Sequence, residues 1–443
     1  MTSYWIKTED WHTAGEPFRI VSQLSPNTLP NAPTVSARRT AILSTPNHPL
    51  NTLRQQLCLE PRGHADMYGG FITPPDDAGA HFGVLFWHAD GFSTACGHGT
   101  IALGYWAVAT GLVQAPQGEG VVDVVVDVPS GRVVASVAVR QGKPVHADFV
   151  NVLSYQLAKD LEVEVPSRGI SVTATLAFGG AVYATVDAAQ FGLRVEPKNA
   201  NQFIDLGREI KKSLGTRAHY GTYDCYGVIF YHEDDSSPDA VRQTNVTVFA
   251  DGQIDRSPCG SGTCARLAVL LAEGRLSAGR SKLLHGSIVG SVFEGDIVSE
   301  ETSPIEDGTP ACIPRVRGRA NLVGRMEFFI DPEDQGSPWE TAKEASEKQD
   351  MDINTAKGAI VTQGIIVKKA EAYLETTRDV PAKKRTELKH ADSKLTAIVK
   401  KIAVEQDKTT LEGQTTESRL EKSTADTARI KATSAHRKAR KHC

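Results

Sequence analysis

The sequence predicts an α+β protein made of two similar halves, in each of which a curved sheet surrounds one central helix. The first indication is a repeated motif, Cys-Gly-x-Gly-Thr, at residues 96–100 and 259–263. Each copy leads into a mostly apolar run, at residues 101–113 and 265–276. A helix that is apolar on all sides has to be enclosed by other elements. Many short β-prone segments surround the two runs, which favours sheets as the enclosing material.

Before the first motif the chain alternates between β-prone and turn-forming segments. Residues 15–17, Gly-Glu-Pro, stand before a β-prone run, which indicates a strand after a tight turn. Residues 23–39 are rich in Pro, Asn and Ser and indicate a surface loop, and residues 51–59 indicate a polar helix. The apolar residues 82–87 are predicted to form a buried strand that leads to Cys96.

After the first motif the pattern is mainly that of strands. Residues 121–128 and 133–139 are rich in valine and flank a Pro-Ser-Gly turn, which indicates a β-hairpin. Residues 199–214 are predicted to form an amphipathic helix. Further strands are predicted at residues 170–177, 182–186, 226–231, 244–250, 287–298 and 325–330.

These patterns predict three regions. Residues 1–165 and 166–338 form the two halves, with one copy of the motif each. Residues 339–443 differ in composition, since Lys, Glu, Ala, Thr and Asp dominate and Tyr373 is the single aromatic residue beyond Trp339. Because such a segment buries little apolar surface, it is predicted to be a charged, partly helical or disordered tail outside the catalytic core.

Composition argues against several classes of function. The 443 residues carry a formal net charge of −4, so there is no excess of basic residues for a nucleic-acid or membrane-surface partner. No apolar run reaches the ~18 residues of a membrane span, and residues 1–10 lack the apolar core of a secretory signal. The seven cysteines are an odd number without regular spacing, as expected of reduced thiols. A cytoplasmic location is predicted.

Cys96 and Cys259 are the candidate catalytic residues. A thiol at a helix N-terminus lies near the positive end of the helix dipole, which predicts a pKa below the ~8.5 of a free cysteine. The glycines after each cysteine let a carboxylate approach the backbone N–H groups closely. Two such ends that face each other suit removal of a proton from one face of a carbon and its return to the opposite face. The predicted reaction is cofactor-free inversion at a carbon α to a carboxylate, with His98 and Asp255 near the ammonium group of a small-molecule substrate.

Three other interpretations fit parts of the pattern. Cys96, His98, Cys259 and Cys264 offer zinc ligands, but they lack tight Cys-x2-Cys spacing. Cys96 with His98 fits a nucleophilic hydrolase, which leaves the second motif without a role. In a purely structural interpretation, both cysteines begin glycine-rich helices by coincidence. The repetition of the motif favours paired catalysis over all three.

Five segments of the chain carry a resemblance to a known family. Residues 12–17, 60–69, 96–98, 178–180 and 255–262 read HTAGEP, EPRGHADMYG, CGH, FGG and DRSPCGSG. In order and spacing they resemble the proline racemase family, which also includes hydroxyproline 2-epimerases and trans-3-hydroxy-L-proline dehydratases. The resemblance spans roughly residues 5–335.

This resemblance implies the diaminopimelate-epimerase-like fold, with the active site in the cleft between two pseudo-symmetric halves. It implies that Cys96 and Cys259 are the acid/base pair, and that His98 and Asp255 contact the ring nitrogen of proline or hydroxyproline. The backbone groups that it implies for carboxylate binding belong to Gly97, His98, Gly260 and Ser261. It implies no metal and no other cofactor. Because family members are commonly dimers, a homodimer is expected.

Two features of the sequence resemble different members of the family. The stretches around residues 83–86 and 248–251 look more like the eukaryotic trans-3-hydroxy-L-proline dehydratases, yet those enzymes carry threonine where this chain has Cys259. Dehydration requires one base for the α-proton before the β-hydroxyl leaves, so a second thiol is dispensable. Inversion requires a proton donor on the far face, which Cys259 supplies. We therefore favour a racemase or 2-epimerase, with the dehydratase as the alternative.

Overall fold

The computed structural model describes residues 3–25, 27–221, 223–237, 239–305, 308–331 and 334. Within these residues the chain forms eighteen β-strands and five α-helices. The helices are α1 (Val35–Leu43), α2 (Pro49–Cys58), α3 (Gly97–Ala109), α4 (Ala200–Leu214) and α5 (Gly260–Ala272). The strands are β1 (Tyr4–Thr13), β2 (Glu16–Val21), β3 (Tyr68–Thr73), β4 (Phe82–His88), β5 (Gly91–Phe92), β6 (Glu119–Val128), β7 (Gly131–Arg140), β8 (Lys143–Val150), β9 (Ser154–Val165), β10 (Ile170–Phe178), β11 (Val182–Asp187), β12 (Cys225–Glu233), β13 (Ala240–Phe249), β14 (Gln253–Asp255), β15 (Lys282–Ser287), β16 (Val292–Thr302), β17 (Pro310–Gly318) and β18 (Ala320–Ile330).

The strands form one hydrogen-bonded network that folds around two helices. In one part, β18 and β2 flank β1, β2 pairs with β3, and β3 and β4 lead to the β6–β7–β8 meander. In the other part, β9 to β13 and β15 to β17 form a closed ring, because β9 pairs with both β10 and β17. Helix α3 packs against the first set of strands and α5 against the second. The predicted α+β class is confirmed.

Strand pairing crosses the predicted boundary between the halves. Strand β9 lies before this boundary but pairs with β10 beyond it. Strand β18, near the end of the second predicted half, pairs with β1 at the start of the first. The ranges 1–165 and 166–338 remain a prediction of how the chain divides.

The two apolar runs form the predicted central helices. Helix α3 is buried from its first residue to Val108, and α5 from its first residue to Leu271. Leu103 and Leu267 are fully buried in a core to which both helices contribute. Full burial of a leucine side chain contributes about 1.5–3 kcal/mol. The helices therefore hold the surrounding strands and fix the position of their own N-termini.

Two predicted segments differ from the structure. The predicted loop at residues 23–39 runs into helix α1, because Thr34 caps this helix and Val35 is buried in the core. The single strand predicted at residues 287–298 is replaced by the end of β15 and most of β16, with a turn between them in which Gly290 has a φ of 84°. In both places local side-chain capping and turn geometry outweigh the average propensity of the segment.

Three further expectations concern the tail, membrane spans and the state of the cysteines. The predicted tail at residues 339–443 lies outside the described residues. None of the helices in the described part of the chain is long and apolar enough to cross a membrane. The six cysteines among the described residues are not joined in disulfides.

Candidate active site

The N-termini of α3 and α5 meet at their first residues. A Cβ atom placed on Gly97 would lie 2.5 Å from the Cα of Gly260, and one placed on Gly260 would lie 2.5 Å from the Cα of Gly97. Carbon atoms cannot approach so closely, so only glycine lets the two helix ends come together. The glycine that follows each cysteine therefore brings the two motifs into one place.

A small cavity lies where the two helix ends meet. All seven residues predicted for the site line this cavity, namely Cys96, Gly97, His98, Asp255, Cys259, Gly260 and Ser261. The rest of the wall consists of Ala95, Tyr68, Tyr183, Tyr226 and Phe249. The combination of apolar walls with a few convergent polar groups is typical of sites for small molecules.

Cys96 caps helix α3 beside an imidazole. Its Sγ accepts a hydrogen bond from the N–H of Gly99 at 3.3 Å. The Nδ1 of His98 lies 3.5 Å from the same Sγ. A Cβ atom placed on Gly99 would lie 2.8 Å from Sγ, so this glycine makes room for the thiol at the helix end.

Cys259 occupies the N-cap position of helix α5 in a backbone conformation that non-glycine residues rarely adopt. Its φ is 62°, and such conformations cost about 1–3 kcal/mol. The N–H of Cys259 donates to Ser257 Oγ at 3.1 Å, and Ser257 donates through its N–H and hydroxyl to Asp255 Oδ1 at 2.9 and 2.7 Å. The Sγ lies 3.8 Å from the hydroxyl of Tyr183, which is hydrogen bonded to Ser261 Oγ at 2.7 Å. These contacts hold the thiol at the cavity.

The electrostatics of the two thiols differ from the sequence prediction. Burial raises the pKa of both Cys96 and Cys259 well above that of a free thiol, and the nearby Asp255 raises it further. Hydrogen bonds from the backbone of Gly99 and Gly262 lower the two pKa values only in part. The predicted thiolate at neutral pH is therefore wrong for this cavity, because loss of hydration outweighs the helix end. A nearby positive charge would favour the thiolate, but no lysine or arginine lines the cavity among the described residues.

Asp255 and His98 add polarity to the cavity without adding a positive charge. Burial raises the pKa of Asp255 to about 6, against the hydrogen bonds from Ser257. Burial lowers the pKa of His98 to about 3, so the imidazole is neutral at pH 7. This pair suits a ligand that brings its own cation. An ammonium group beside the carboxylate would be attracted to it and would lower the pKa of the adjacent thiols.

A buried carboxyl group, Glu16, holds the loop that leads to Cys259. Its side chain is 0% exposed, and its Oε2 accepts hydrogen bonds from the N–H and Nε of Arg256 at 2.9 and 3.1 Å. Burial raises the pKa of Glu16 well above its usual range, and the nearby Asp255 raises it further. The sequence patterns assign Glu16 no role, and its place in the segment at residues 12–17 is the only signal for it.

Replacing Glu16 by alanine is expected to lower the free energy of unfolding by about 1–3 kcal/mol, because Arg256 loses the acceptor of two hydrogen bonds. The variant Glu16→Gln keeps an oxygen at this place and is expected to cost less. Urea unfolding of both variants measures the difference. An alanine variant as stable as the glutamine variant would contradict a positioning role for this carboxyl group.

The geometry also bears on two of the other interpretations. In the described part of the chain, no group of three or more His, Cys, Asp or Glu side chains is placed to hold a metal ion. Cys264, the fourth ligand of a zinc site, lies instead in the apolar core around α5. For the hydrolase interpretation, Cys96 and His98 are in contact, but the same cavity contains Cys259, which that interpretation leaves unused.

Comparisons with known proteins converge on one family. The family model described as Proline racemase matches residues 9–341. A proline racemase of Clostridioides difficile is 36% identical over 337 residues, which cover 74% of this chain and 96% of that protein. A trans-3-hydroxy-L-proline dehydratase of Azospirillum brasilense is 40% identical over 337 residues, with the same coverage of both chains. A 3-hydroxyproline 2-epimerase of Burkholderia multivorans is 40% identical over 340 residues, again with 74% and 96% coverage.

Solved structures of similar proteins share the fold. The crystal structure of a hydroxyproline epimerase from Agrobacterium vitis with bound trans-4-hydroxy-L-proline has a TM-score of 0.68 and 27% identity, and it covers 76% of this chain and 96% of that chain. A probable proline racemase from Agrobacterium radiobacter K84 with bound carbonate has the same score and identity, with 76% and 97% coverage. The diaminopimelate-epimerase-like fold implied by the sequence resemblance is confirmed.

Proposed function

The chain belongs to the proline racemase family, and we propose that it inverts Cα of proline or a hydroxyproline, with Cys96 and Cys259 as a two-base pair and without a cofactor. The chain is an enzyme of this family, an isomerase or a hydro-lyase, because its relatives are enzymes of these two classes. One observation carries the finer proposal. Two cysteines occupy the N-cap positions of two abutting helices on the wall of a single cavity.

In the proposed reaction, each thiol serves one face of the substrate. One cysteine, as thiolate, removes the α-proton, and the electron pair of the broken C–H bond is delocalised into the carboxylate. The other cysteine, as thiol, gives its proton to the opposite face and becomes the thiolate. The opposite enantiomer then reacts with the roles of Cys96 and Cys259 exchanged. A general acid and a general base of this kind each contribute about 10²–10⁴-fold to the rate.

We propose that the carboxylate of the substrate binds between the two helix ends. The first N–H groups of a helix have no intrahelical acceptor, and together with the helix dipole they bind anions. In α3 and α5 these groups belong to Gly97, His98, Gly260 and Ser261, which all line the cavity. Hydrogen bonds to the carboxylate also stabilise the charge that develops on it when the α-proton leaves.

The positive imino group of the substrate has a second role in this proposal. Placed beside Asp255 and His98, it supplies a positive charge, which no side chain lining the cavity among the described residues carries. Burial and the nearby Asp255 raise the pKa of both thiols, and a bound cation opposes both effects and favours the thiolate. The substrate thereby helps to ionise the base that attacks it.

Dehydration of trans-3-hydroxy-L-proline is the second candidate, supported by relatives of that name at 38–40% identity. In that reaction Cys96 removes the α-proton, the C3–O bond breaks, and water and pyrroline-2-carboxylate are formed. Cys259 would then have no obligatory proton to deliver.

Proton NMR in D2O separates the two reactions. L-proline, trans-4-hydroxy-L-proline and trans-3-hydroxy-L-proline are offered one at a time. Deuterium at Cα together with the inverted product supports the racemase or 2-epimerase. Formation of a pyrroline from the 3-hydroxy substrate without inversion of any of the three supports the dehydratase. Absence of any α-proton loss from all three substrates would contradict both.

The acid limb of the pH profile is expected to come from Asp255. We expect kcat/KM to fall as the pH falls through about 6, because the carboxyl group of Asp255 takes up a proton there and no longer attracts the cationic substrate. Measurement of kcat/KM from about pH 4.5 to about pH 8 tests this. In Asp255→Asn, which has no titrating carboxyl group, the residual activity is expected to lose this limb. An unchanged limb in that variant would assign it to another group.

A chain that ends at Trp339 is expected to retain activity, because every residue that lines the cavity precedes that position. We expect its kcat and KM to lie within about twofold of those of the full chain. Steady-state kinetics of both forms measure this. Loss of a folded catalytic core on truncation would contradict the prediction that residues 339–443 are dispensable.

We further propose that the protein acts as a homodimer in the cytoplasm. The homodimer is supported by the dimeric state that is common in the family. The cytoplasmic location is supported by the cysteines of the described residues, which are not joined in disulfides and therefore suit a reducing compartment. Light scattering on purified protein tests the oligomeric state. A monomer that is fully active would contradict it.

A further inference from the structure

One side of the cavity has no role in the proposed function. In that proposal the thiols lie on the two faces of Cα, the helix ends bind the carboxylate, and Asp255 and His98 lie beside the ring nitrogen. The remaining wall consists of Ala95 and four aromatic residues, Tyr68, Tyr183, Tyr226 and Phe249. The other carbons of the substrate ring have to lie against this wall, because the remaining sides are occupied.

Two hydroxyl groups of this wall form a hydrogen-bonded chain. The hydroxyl of Tyr226 lies 3.1 Å from that of Tyr68, and the hydroxyl of Tyr68 is hydrogen bonded to Ser93 Oγ. Ser93 is buried and does not line the cavity. Tyr183 stands apart from the chain, because its hydroxyl is hydrogen bonded to Ser261. Tyr226 is therefore the end of the chain on the cavity side.

Whichever of the two phenols donates to the other, the hydroxyl of Tyr226 can still make one more hydrogen bond. A phenol carries one proton to donate and lone pairs to accept. Burial raises the pKa of Tyr68 and Tyr226 well above the usual range, so both phenols keep their protons. If Tyr68 donates to Tyr226, Tyr226 has its own proton to donate, and if Tyr226 donates, its oxygen is left to accept. Among the described residues, Tyr68 is its only hydrogen-bond partner.

We propose that Tyr226, supported by Tyr68, binds a hydroxyl group on the substrate ring, so that the substrates are hydroxyprolines in preference to proline. The inference rests on the proposed function, since it assumes a cyclic imino acid in the cavity. A ring hydroxyl can both donate and accept a hydrogen bond, so it fits Tyr226 whether Tyr226 donates to Tyr68 or accepts from it. A CH2 group in the same place would leave a buried phenol without its partner.

Packing fixes the position of this hydroxyl. The ring of Tyr226 is stacked on Phe249, with 5.7 Å between centroids and an interplanar angle of 13°. It also meets the ring of Tyr183 edge-on at 5.6 Å, and Tyr68 meets His98 edge-on at 5.0 Å. These contacts restrict rotation of the Tyr226 ring, so its hydroxyl stays directed by the packing of its neighbours. A site built to bind a hydroxyl discriminates strongly against the analogue that lacks it.

Selectivity, measured as a ratio, tests the proposal. For each substrate, kcat/KM is measured for all loss of the α-proton, whether by exchange with D2O or by pyrroline formation. The wild type is expected to prefer trans-3- or trans-4-hydroxy-L-proline to L-proline. In Tyr226→Phe the ratio of the preferred hydroxyproline to L-proline is expected to fall by about ten- to a hundredfold. In Tyr68→Phe, which interrupts the chain one step further back, the same ratio is expected to fall by less.

Tyr231→Phe is the matched control. It removes a hydroxyl from the same strand, β12, but its ring packs under the Arg266 guanidinium at 3.9 Å and does not line the cavity. The ratio is expected to stay at the wild-type value in this variant.

The outcomes separate this inference from the proposed function. A wild type that prefers L-proline, or a ratio in Tyr226→Phe within about twofold of the control, overturns the ring-hydroxyl subsite and leaves the proposed function intact. A wild type that removes the α-proton from none of the three substrates overturns both. If Tyr226→Phe does not fold, the ratio in Tyr68→Phe decides, and an unchanged ratio there overturns the subsite.

Discussion

Replacing either Cys96 or Cys259 by alanine is expected to lower the rate of inversion at Cα by about 10²–10⁴-fold. The two thiols lie on one cavity at the ends of abutting helices. In the proposed reaction the proton leaves from one face and arrives at the other, so neither thiol can replace its partner. No other cysteine lines this cavity among the described residues.

The two alanine variants are also expected to differ from each other in a specific way. A single remaining thiol can still remove a proton from the enantiomer whose Cα–H faces it and return deuterium to the same face. Each variant should therefore exchange the α-proton of one enantiomer in D2O without inverting it, and the two variants should select opposite enantiomers. Polarimetry measures the inversion, and proton NMR with each pure enantiomer measures the exchange.

Cys264→Ala is the matched control for these variants. Cys264 is buried in helix α5, the helix that Cys259 caps, but it lies in the apolar core and does not line the cavity. Its replacement is expected to leave the inversion rate close to that of the wild type. Inversion at close to the wild-type rate in Cys96→Ala or Cys259→Ala would contradict a two-base reaction.

Those parts of the site that depend on short stretches of chain could be predicted from the sequence. A cysteine, a glycine and an apolar run within one segment predict a buried helix with a thiol at its start, and the repetition of this segment predicts a paired site. The hairpin of β6 and β7 and the amphipathic helix α4 are local in the same sense. The pairing of β1 with β18 could not be predicted, because partners at opposite ends of the sequence leave no local pattern.

Other parts of the site depend on contacts between distant residues. Glu16 and Arg256 are 240 positions apart in the sequence, and Tyr68 and Tyr226 are 158 positions apart. Glu16, Tyr68 and Arg256 lie in the segments at residues 12–17, 60–69 and 255–262, but nothing in these segments indicates which residues pair. The thiol pKa values were predicted in the wrong direction for a related reason. A helix end is visible in the sequence, whereas the burial that outweighs it depends on the whole fold.

Replacing Cys259 by threonine is expected to abolish inversion and to spare any dehydration of trans-3-hydroxy-L-proline. An aliphatic hydroxyl is far less acidic than a thiol, so threonine can neither supply the proton on its face nor accept one in the reverse direction. Dehydration needs a base on one face only, and in the proposed alternative that base is Cys96. Pyrroline formation is therefore expected to stay within about tenfold of the wild-type rate in this variant.

The backbone at this position adds a stability effect that a second variant separates from the chemistry. Cys259 has a φ of 62°, which is especially unfavourable for a β-branched residue. We expect Cys259→Thr to be less stable than Cys259→Ser by about 1 kcal/mol, whereas both should lack inversion. NMR product analysis and urea unfolding of the two variants separate the effects. Equal loss of inversion and dehydration in the serine variant, which carries no β-branch, would contradict the division of roles between the two cysteines.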